Sequence, residues 1–228
     1  MAYTTSTTAF NPTLNDIVEE AFERCGLELR SGYDFRTARR SLNLLITEWA
    51  NRGINLWTIE QSTIPLVAGT ATYNLPTDTV DLMEHVIRTG AGSVSTQADI
   101  TISRISVSTY ASIPNKLEQG FPIQVMVDRA VTTPTITVWP TPDDSQTYTF
   151  VYWKLRRMDD AGNGVNTQDI PFRLLPAMVA GLAYHLAVKV APDRVPLLKA
   201  AYDEAWDLAS SEDREKAPVS FVPRVFRV

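Results

Sequence analysis

Cysteine is almost absent from this chain of 228 residues. With Cys25 alone no internal disulfide can form, so the cysteine content does not indicate secretion, and a reducing compartment fits better. The first residues, MAYTTSTTAF, have neither a basic segment nor an apolar core and are expected to be a polar arm rather than a signal peptide. The most apolar stretch, residues 174–190, is interrupted by polar side chains and is shorter than the roughly 20 residues that cross a bilayer. We therefore expect a soluble protein with no membrane partner.

Residue patterns that support catalysis are equally scarce. The two histidines, His85 and His185, lie in no GxSxG, HExxH, CxxC or P-loop pattern, and the carboxylates beside His85 are too few for a metal site. We expect His185 and Cys25 to be packing residues. The sequence predicts no enzyme, no catalytic residue, no metal ligand and no cofactor.

Basic residues are fewer than acidic ones. The chain has 21 Lys and Arg against 26 Asp and Glu, which gives a net charge of −5 and argues against electrostatic capture of nucleic acid. This charge is compatible with a protein that lets DNA pass, because an acidic wall repels the duplex.

Two amphipathic helices are predicted in the N-terminal part. The first follows Thr13, which forms a capping box with Asp16, and it ends at Gly26. The second spans about residues 35–52 and ends at Gly53. Their apolar stripes are Ile17, Val18, Ala21, Phe22 and Cys25 in the first helix and Ala38, Leu42, Leu45, Ile46 and Trp49 in the second.

Three arginines, Arg36, Arg39 and Arg40, lie in the first two turns of the second predicted helix. Cations near the positive end of a helix dipole are unfavourable by roughly a few tenths of a kcal/mol each, so another interaction is expected to favour them. One interpretation is a solvated face with carboxylate partners, and the other is an interface with a subunit or partner.

Between residues 62 and 155 the sequence changes to short β-branched and aromatic segments separated by Gly, Pro, Asp and Ser. This pattern predicts an antiparallel β-domain. Alternation places Ile123, Val125 and Val127 on the buried face of one strand. The segment 147–155, TYTFVYWKL, is apolar on both faces, so it is expected to be central in its sheet or to contact another chain.

Two more helices are predicted after the turn at residues 162–164. The first opens at Pro171 and carries small residues that permit close helix packing. The second begins near Arg194, and its charged end, SSEDREK, is expected to point into water. Its buried face is assigned to Leu197, Leu198, Ala201, Ala205 and Leu208.

The order of helices, strands and helices indicates an α+β fold. Residues 1–60 and 161–216 would form a helix bundle from the terminal helices, and residues 61–160 would form the inserted antiparallel β-domain. An extended C-terminal arm is expected at residues 217–228.

The arm, APVSFVPRVFRV, combines a strand-like apolar pattern with two prolines that exclude a helix. Fully extended, it would reach roughly 40 Å, which is far enough to leave the domain and lie on a neighbour. Docking on a partner, by strand addition or in a groove, and packing back on its own chain are both open from the residues alone.

The layout of these segments resembles a known family. The runs SLNLLITEWANRGINLW and GFPIQVMVDRAVTTPTITVWPTP and the helical segments LLPAMVAGLAYHLA and AAYDEAWDLA look like those of the head-to-tail adaptor proteins of short-tailed bacteriophages, which include the tail tubular protein A group. The resemblance covers about residues 10–216. Its patterns, GxP before a strand, WPxP after one and AYxxA in the helices, are spread along the chain.

This resemblance implies a virion structural protein at the head–tail junction, assembled in the host cytoplasm. Family members form a ring of twelve copies between the portal protein and the tail nozzle, extend the DNA channel without specific DNA binding, and often contact tail fibres. Arg36, Arg39 and Arg40 would then serve subunit contacts. The arm would insert along the portal through Val219, Phe221, Val222, Arg224, Val225, Phe226, Arg227 and Val228.

Two other functions remain as alternatives. A peptidoglycan-active or carbohydrate-binding tail component would use a carboxylate pair from Glu19, Glu20 and Glu23 or a platform of aromatic side chains. The aromatic candidates are Trp139, Tyr148, Tyr152 and Trp153. A non-viral oligomeric scaffold would instead self-associate through residues 217–228 without any portal.

Overall fold

The computed structural model describes residues 10–53 and 56–213. Within these residues the chain is α+β, with five α-helices and ten β-strands that pair mostly antiparallel. It divides into two compact units, one of Met1–Leu56 and Asp159–Val228 and the other of Trp57–Met158. The predicted arm, residues 217–228, lies outside the described residues together with all of its expected portal-binding side chains.

The first unit is built from helices. The helices of the chain are α1 (Leu14–Arg24), α2 (Gly32–Asn51), α3 (Val107–Ala111), α4 (Leu175–Val190) and α5 (Val195–Glu212), and all except α3 belong to this unit. The predicted capping box of Thr13 and Asp16 at the start of α1 is confirmed. Helix α2 begins three residues earlier than predicted, because Ser31 and Asp34 form a second capping box.

Helix α4 forms the centre of the helical unit, where α1, α2 and α5 all contact it. The predicted apolar stripe of Leu174, Met178, Leu182 and Leu186 is fully buried. By length and composition the stretch Phe172–Val190 could cross a membrane, but most of it is buried in the helical unit, as in the core helix of a globular domain. Burial against three helices accounts for its apolar character.

Two predictions about the C-terminal helices are wrong. After Pro171 the chain first forms a 3₁₀ turn, Phe172–Leu174, and α4 starts only at Leu175, with Pro176 in its first turn. The buried face of α5 consists of Leu198, Tyr202, Trp206 and Ala209. Leu198 is the only buried residue of the face that the sequence predicted. The large rings of Tyr202 and Trp206 remove more apolar area from water than leucines do, so they determine which side of α5 faces the core.

The second unit is built from strands. These are β1 (Ile59–Leu66), β2 (Thr72–Asn74), β3 (Thr79–Thr89), β4 (Ala98–Thr101), β5 (Ser103–Ile105), β6 (Gln119–Gly120), β7 (Gln124–Asp128), β8 (Thr135–Trp139), β9 (Thr141–Pro142) and β10 (Tyr148–Arg156). They form a sheet in the order β1-β10-β3-β4, a sheet in the order β2-β8-β7-β5, and the pair β6-β9. Two pairings, β5 with β7 and β6 with β9, are parallel and depart from the predicted antiparallel pattern.

The two four-stranded sheets share one apolar core. Its buried residues are Leu75, Leu82, Ile87, Val125, Ile136, Val138, Tyr148, Phe150 and Tyr152. The prediction of a central strand at residues 147–155 is confirmed, because β10 lies between β1 and β3. Phe150 and Val151, which point to opposite faces of β10, are both fully buried.

Two strand predictions failed in this unit. Strand β3 was missed because Asp81, Glu84 and His85 interrupt its apolar pattern. Ile123 was placed on a buried strand face, but it precedes β7 and is exposed. In both places a polar or exposed position in the folded sheet broke the simple alternation on which the prediction depended.

Candidate partner-binding surfaces

The three arginines predicted for a subunit interface do not have the same surroundings. Arg39 contacts its own chain, since its Nε donates to the carbonyl oxygen of Ala161 across 3.0 Å. Arg36 and Arg40 are exposed, and neither has a hydrogen bond or ion pair with any other described residue. The carboxylate partners of the alternative interpretation are thus not found for these arginines in residues 10–53 and 56–213.

The outward side of α2 carries one line of residues, Tyr33, Arg36, Arg40 and Leu44, called here the α2 stripe. Steps of three, four and four residues place them on one side of a helix. Tyr33 and Leu44 are 69% and 58% exposed. The opposite side of α2, which includes Leu42 and Trp49, is buried, so the stripe points away from the helical core.

A similar line follows the outward side of α5. It consists of Leu197, Ala201, Glu204 and Leu208, called here the α5 stripe. Leu197 and Leu208 are 71% and 67% exposed. Asp207 lies beside the stripe and Asp203 lies farther round the exposed surface of α5, and within the described chain neither they nor Glu204 form an ion pair. The leucines that the sequence assigned to the core are therefore on the surface, in acidic surroundings.

The end of α5 is tied to the start of α4. The Asp213 side chain is fully buried and forms an ion pair with Arg173 of the 3₁₀ turn. A buried carboxylate needs such a cationic partner, so the prediction that the charged end points into water is wrong at Asp213. The pair therefore anchors the last described residue of the helical unit, four positions before the expected arm begins in the sequence.

A groove of about 640 Å³ lies between α1 and the first turn of α4. Its apolar wall contains Phe10, Pro12, Ile17, Leu175, Pro176 and Val179. Its polar rim contains Asp16, Glu20 and Arg24, and Arg24 Nε lies 2.9 Å from Glu20 Oε1. The Asp16 carboxylate accepts hydrogen bonds from Thr13 that lower its pKa, so it stays ionised as a cap of α1.

Comparison with known families decides what kind of protein carries these surfaces. A family model described as SU10 adaptor protein matches residues 2–223, which is nearly the whole chain. The chain belongs to the SU10 adaptor protein family. Because this is a family of phage head-to-tail adaptors, the resemblance found in the sequence is confirmed. No curated protein matches the chain.

Family membership makes this adaptor a structural component of the virion at the head–tail junction and favours a non-enzymatic role. Among the described residues, no group of three or more His, Cys, Asp or Glu side chains is placed to hold a metal ion. His85 stacks on Phe150 at a ring distance of 6.0 Å. Burial lowers the pKa of His85, and nearby Arg104 lowers it further while Glu84 opposes the shift. This imidazole is a packing group of the sheet core.

His185 and Cys25, the other residues considered for catalysis in the adaptor, also contact neighbouring groups of the helical unit. His185 Nε2 lies 3.3 Å from Glu48 Oε2, and the Cys25 thiol donates to the carbonyl oxygen of Ala183 across 3.4 Å. Burial raises the pKa of Cys25, against the opposing effect of Arg194, so the thiol is a poor nucleophile at neutral pH.

Of the aromatic side chains proposed for a sugar site, Trp139 and Trp153 are half-buried. Tyr148 and Tyr152 belong to the buried core of the sheets and offer no ring face to a sugar. Glu20 is paired with Arg24, while Glu19 and Glu23 lie exposed on α1. These positions favour the structural role of the adaptor over glycan chemistry.

Sequence reasoning missed the α5 stripe and the pair of Arg173 and Asp213. The signal for the stripe was present, since α5 has two apolar lines in its sequence, and the line with the aromatic rings is the one that is buried. The ion pair had no local signal, because its members are 40 residues apart and meet only when α5 packs on the 3₁₀ turn.

Proposed function

We propose that this adaptor forms a ring of twelve copies between the portal protein and the tail nozzle, and that the ring extends the DNA channel. Membership of the SU10 adaptor protein family over residues 2–223 is the observation that carries the proposal. The ring would be assembled in the host cytoplasm and would lie at the head–tail junction of the virion. Tail fibres are further candidate partners.

The two units would have different roles in the ring. In this proposal the terminal helices of residues 1–60 and 161–216 form a helix bundle that makes the subunit contacts, and the β-domain of residues 61–160 meets the tail side. The outward arginines Arg36 and Arg40 support this assignment, because they are exposed and lack partners among the described residues. Arg39, which binds Ala161, would support the interface from its own chain.

The arm of residues 217–228 is assigned to the portal. Its apolar residues would lie in a groove or along a strand edge, and its cations would reach acidic groups of the partner. The residues assigned to this contact are Val219, Phe221, Val222, Arg224, Val225, Phe226, Arg227 and Val228. The ion pair of Arg173 with Asp213 supports the proposal, because it anchors the end of α5 to the 3₁₀ turn four residues before the arm begins in the sequence.

The charge of the chain suits a channel that DNA passes without binding. At a net charge of −5 a ring of copies would be strongly acidic, and an acidic wall repels phosphate. We expect no specific DNA contacts.

Particle mass by light scattering tests this function. The full-length protein is measured alone and with its portal protein, and again after truncation of residues 217–228. A large particle of fixed stoichiometry that forms with the portal and requires the arm is the expected result. A protein that stays monomeric with the portal, or a truncated form that assembles equally well on it, would overturn the ring or the arm assignment respectively.

A further inference from the structure

We infer that the α2 stripe of one copy binds the α5 stripe of a second copy of this chain. The inference rests on the proposed function, which requires copies to contact one another, and it identifies the two surfaces that meet. It replaces a general subunit role of the arginines with a specific pairing.

Each stripe is a second apolar side on a helix whose first apolar side is already buried. Tyr33 and Leu44 on α2, and Leu197 and Leu208 on α5, are all more than half exposed. Single exposed apolar side chains are ordinary, but these recur at helical spacing along one side of each helix. Such a repeated pattern indicates a surface that is covered by a partner.

The charges of the two stripes are opposite and have no partners in the described chain. The α2 stripe presents Arg36 and Arg40, whereas the α5 stripe presents Glu204 with Asp207 beside it. Pairing α2 with α2, or α5 with α5, would place like charges together and is disfavoured. Pairing α2 with α5 joins cations to carboxylates and therefore selects one arrangement.

The dimensions of the stripes also agree. Each runs over eleven residue steps, from Tyr33 to Leu44 and from Leu197 to Leu208, which corresponds to about 17 Å of helix. In both stripes large apolar side chains stand at the ends, with two arginines between them on α2 and Ala201 and Glu204 between them on α5. Both parallel and antiparallel packing would bring the apolar ends together and would place Glu204 near one of the two arginines.

The geometry of one copy excludes an internal contact between the stripes. The α2 stripe lies opposite the buried side of its helix, the α5 stripe lies beside the buried side of its own on exposed positions, and both buried sides face the same helical core around α4. The stripes therefore point outward and can meet only between copies. An interface made of two different surfaces is heterologous, and repetition of such a contact generates a ring when the rotation closes.

Charge reversal tests the pairing in the full-length protein. One variant carries Arg36→Glu and Arg40→Glu, and a second carries Glu204→Lys and Asp207→Lys. The control carries Glu19→Lys and Glu23→Lys on exposed positions of α1, and it changes the net charge as much as the second variant does. Particle mass is measured under the conditions in which the wild type assembles, with portal protein where this is needed.

Each stripe variant alone is expected to need at least about tenfold more protein to assemble, because every contact would bring like charges together. An equal mixture of the two variants should assemble as the wild type does, because a reversed α2 stripe then meets a reversed α5 stripe in alternating copies. The control should assemble normally.

Assembly of both stripe variants at the wild-type concentration, or failure of the mixture while each variant remains folded by circular dichroism, would overturn the pairing. In those cases a wild type that still forms particles with its portal leaves the adaptor function intact. A wild type that forms no particle under any of these conditions would overturn the proposed ring itself.

Discussion

The indole Nε1 of Trp49 donates a hydrogen bond to the hydroxyl oxygen of Tyr202 across 2.9 Å. The two residues lie on α2 and α5, and both side chains are buried. Trp206 packs beside them, with its ring 5.1 Å from that of Trp49, and the guanidinium of Arg52 lies 4.5 Å above the Trp206 ring. This cluster joins helices from the two ends of the chain, so it holds the α2 and α5 stripes in fixed positions on one copy.

Replacement of Tyr202 by Phe should destabilise the helical unit by about 1–3 kcal/mol, because the buried indole N–H of Trp49 loses its acceptor. Urea unfolding followed by tryptophan fluorescence measures the change. Tyr33→Phe is the matched control, since the Tyr33 hydroxyl is on an exposed side chain and its loss should leave the midpoint unchanged. Equal midpoints for the two variants would show that the hydrogen bond contributes nothing.

The Tyr202 hydroxyl should lose its proton at a higher pH than an ordinary tyrosine does. Burial raises the pKa of Tyr202 from 10.0 to about 12, with Glu48 and Asp203 adding to the shift and the Trp49 hydrogen bond and Arg52 opposing it. Between pH 10 and 12 the unfolded chain loses this proton while the folded chain keeps it, so stability falls as the pH rises through that window and is unaffected below it.

Phenolate absorbance of the wild type minus that of Tyr202→Phe isolates this ionisation from that of the other tyrosines. We expect the difference curve to have its midpoint near pH 12. A midpoint near pH 10 would mean that the hydroxyl is solvated in the folded protein.

Much of the fold could be predicted from local patterns in the sequence. The capping box of Thr13, the buried stripe of α2 around Leu42 and Trp49, and the central position of β10 each follow from the spacing of neighbouring residues. Strand β3 could not be found in this way, because its charged residues are accommodated only by pairing with β4 and β10 in the sheet. Where the partner strand decides the structure, a single segment does not contain the signal.

The candidate surfaces were predicted less completely. Arg36 and Arg40 stood out because cations are unfavourable at a helix N-terminus, and the structure leaves both without an intramolecular partner among the described residues. The α5 stripe was assigned to the core, since Leu197 and Leu208 keep helical spacing as well as the residues that are buried. Only the packing of Tyr202 and Trp206 against α2 decides which line faces the core.

Gly181→Ala should destabilise the helical unit, although alanine is the better helix former. A Cβ at this position would lie 2.9 Å from side-chain atoms of both Leu45 and Tyr202, which are buried and held by their neighbours. Overpacking of this kind costs about 1–3 kcal/mol, which exceeds the gain of up to about 1 kcal/mol from helix propensity. Gly32→Ala in the first turn of α2 meets no atom within 4 Å and serves as the control.

Thermal unfolding of the two glycine variants gives the comparison. We expect a lower midpoint for Gly181→Ala and an unchanged or higher one for Gly32→Ala. A higher midpoint for Gly181→Ala would show that α4 has room for a methyl group at this crossing.

Lys154 is a buried cation of the β unit, and we expect its charge to contribute less to the stability of the unit than its apolar stem does. Its side chain is 7% exposed on β10, and its Nζ lies 2.7 Å from Asp78 Oδ2 and 3.7 Å from Glu60 Oε2. Without the ammonium group Glu60 keeps its ion pair with Arg156 and the half-exposed Asp78 is hydrated, so the penalty is below the roughly 3–5 kcal/mol of a fully buried broken pair.

We therefore expect Lys154→Ala, which loses both the charge and the apolar stem, to destabilise the β unit by about 2 kcal/mol. Lys154→Met keeps the stem and should lose less than about half of that amount. Lys199→Ala removes an exposed lysine from α5 and should change the free energy of unfolding in urea by no more than about 0.5 kcal/mol. Equal losses for the Ala and Met variants would instead show that the contacts of the ammonium group with Asp78 and Glu60 provide the stabilisation.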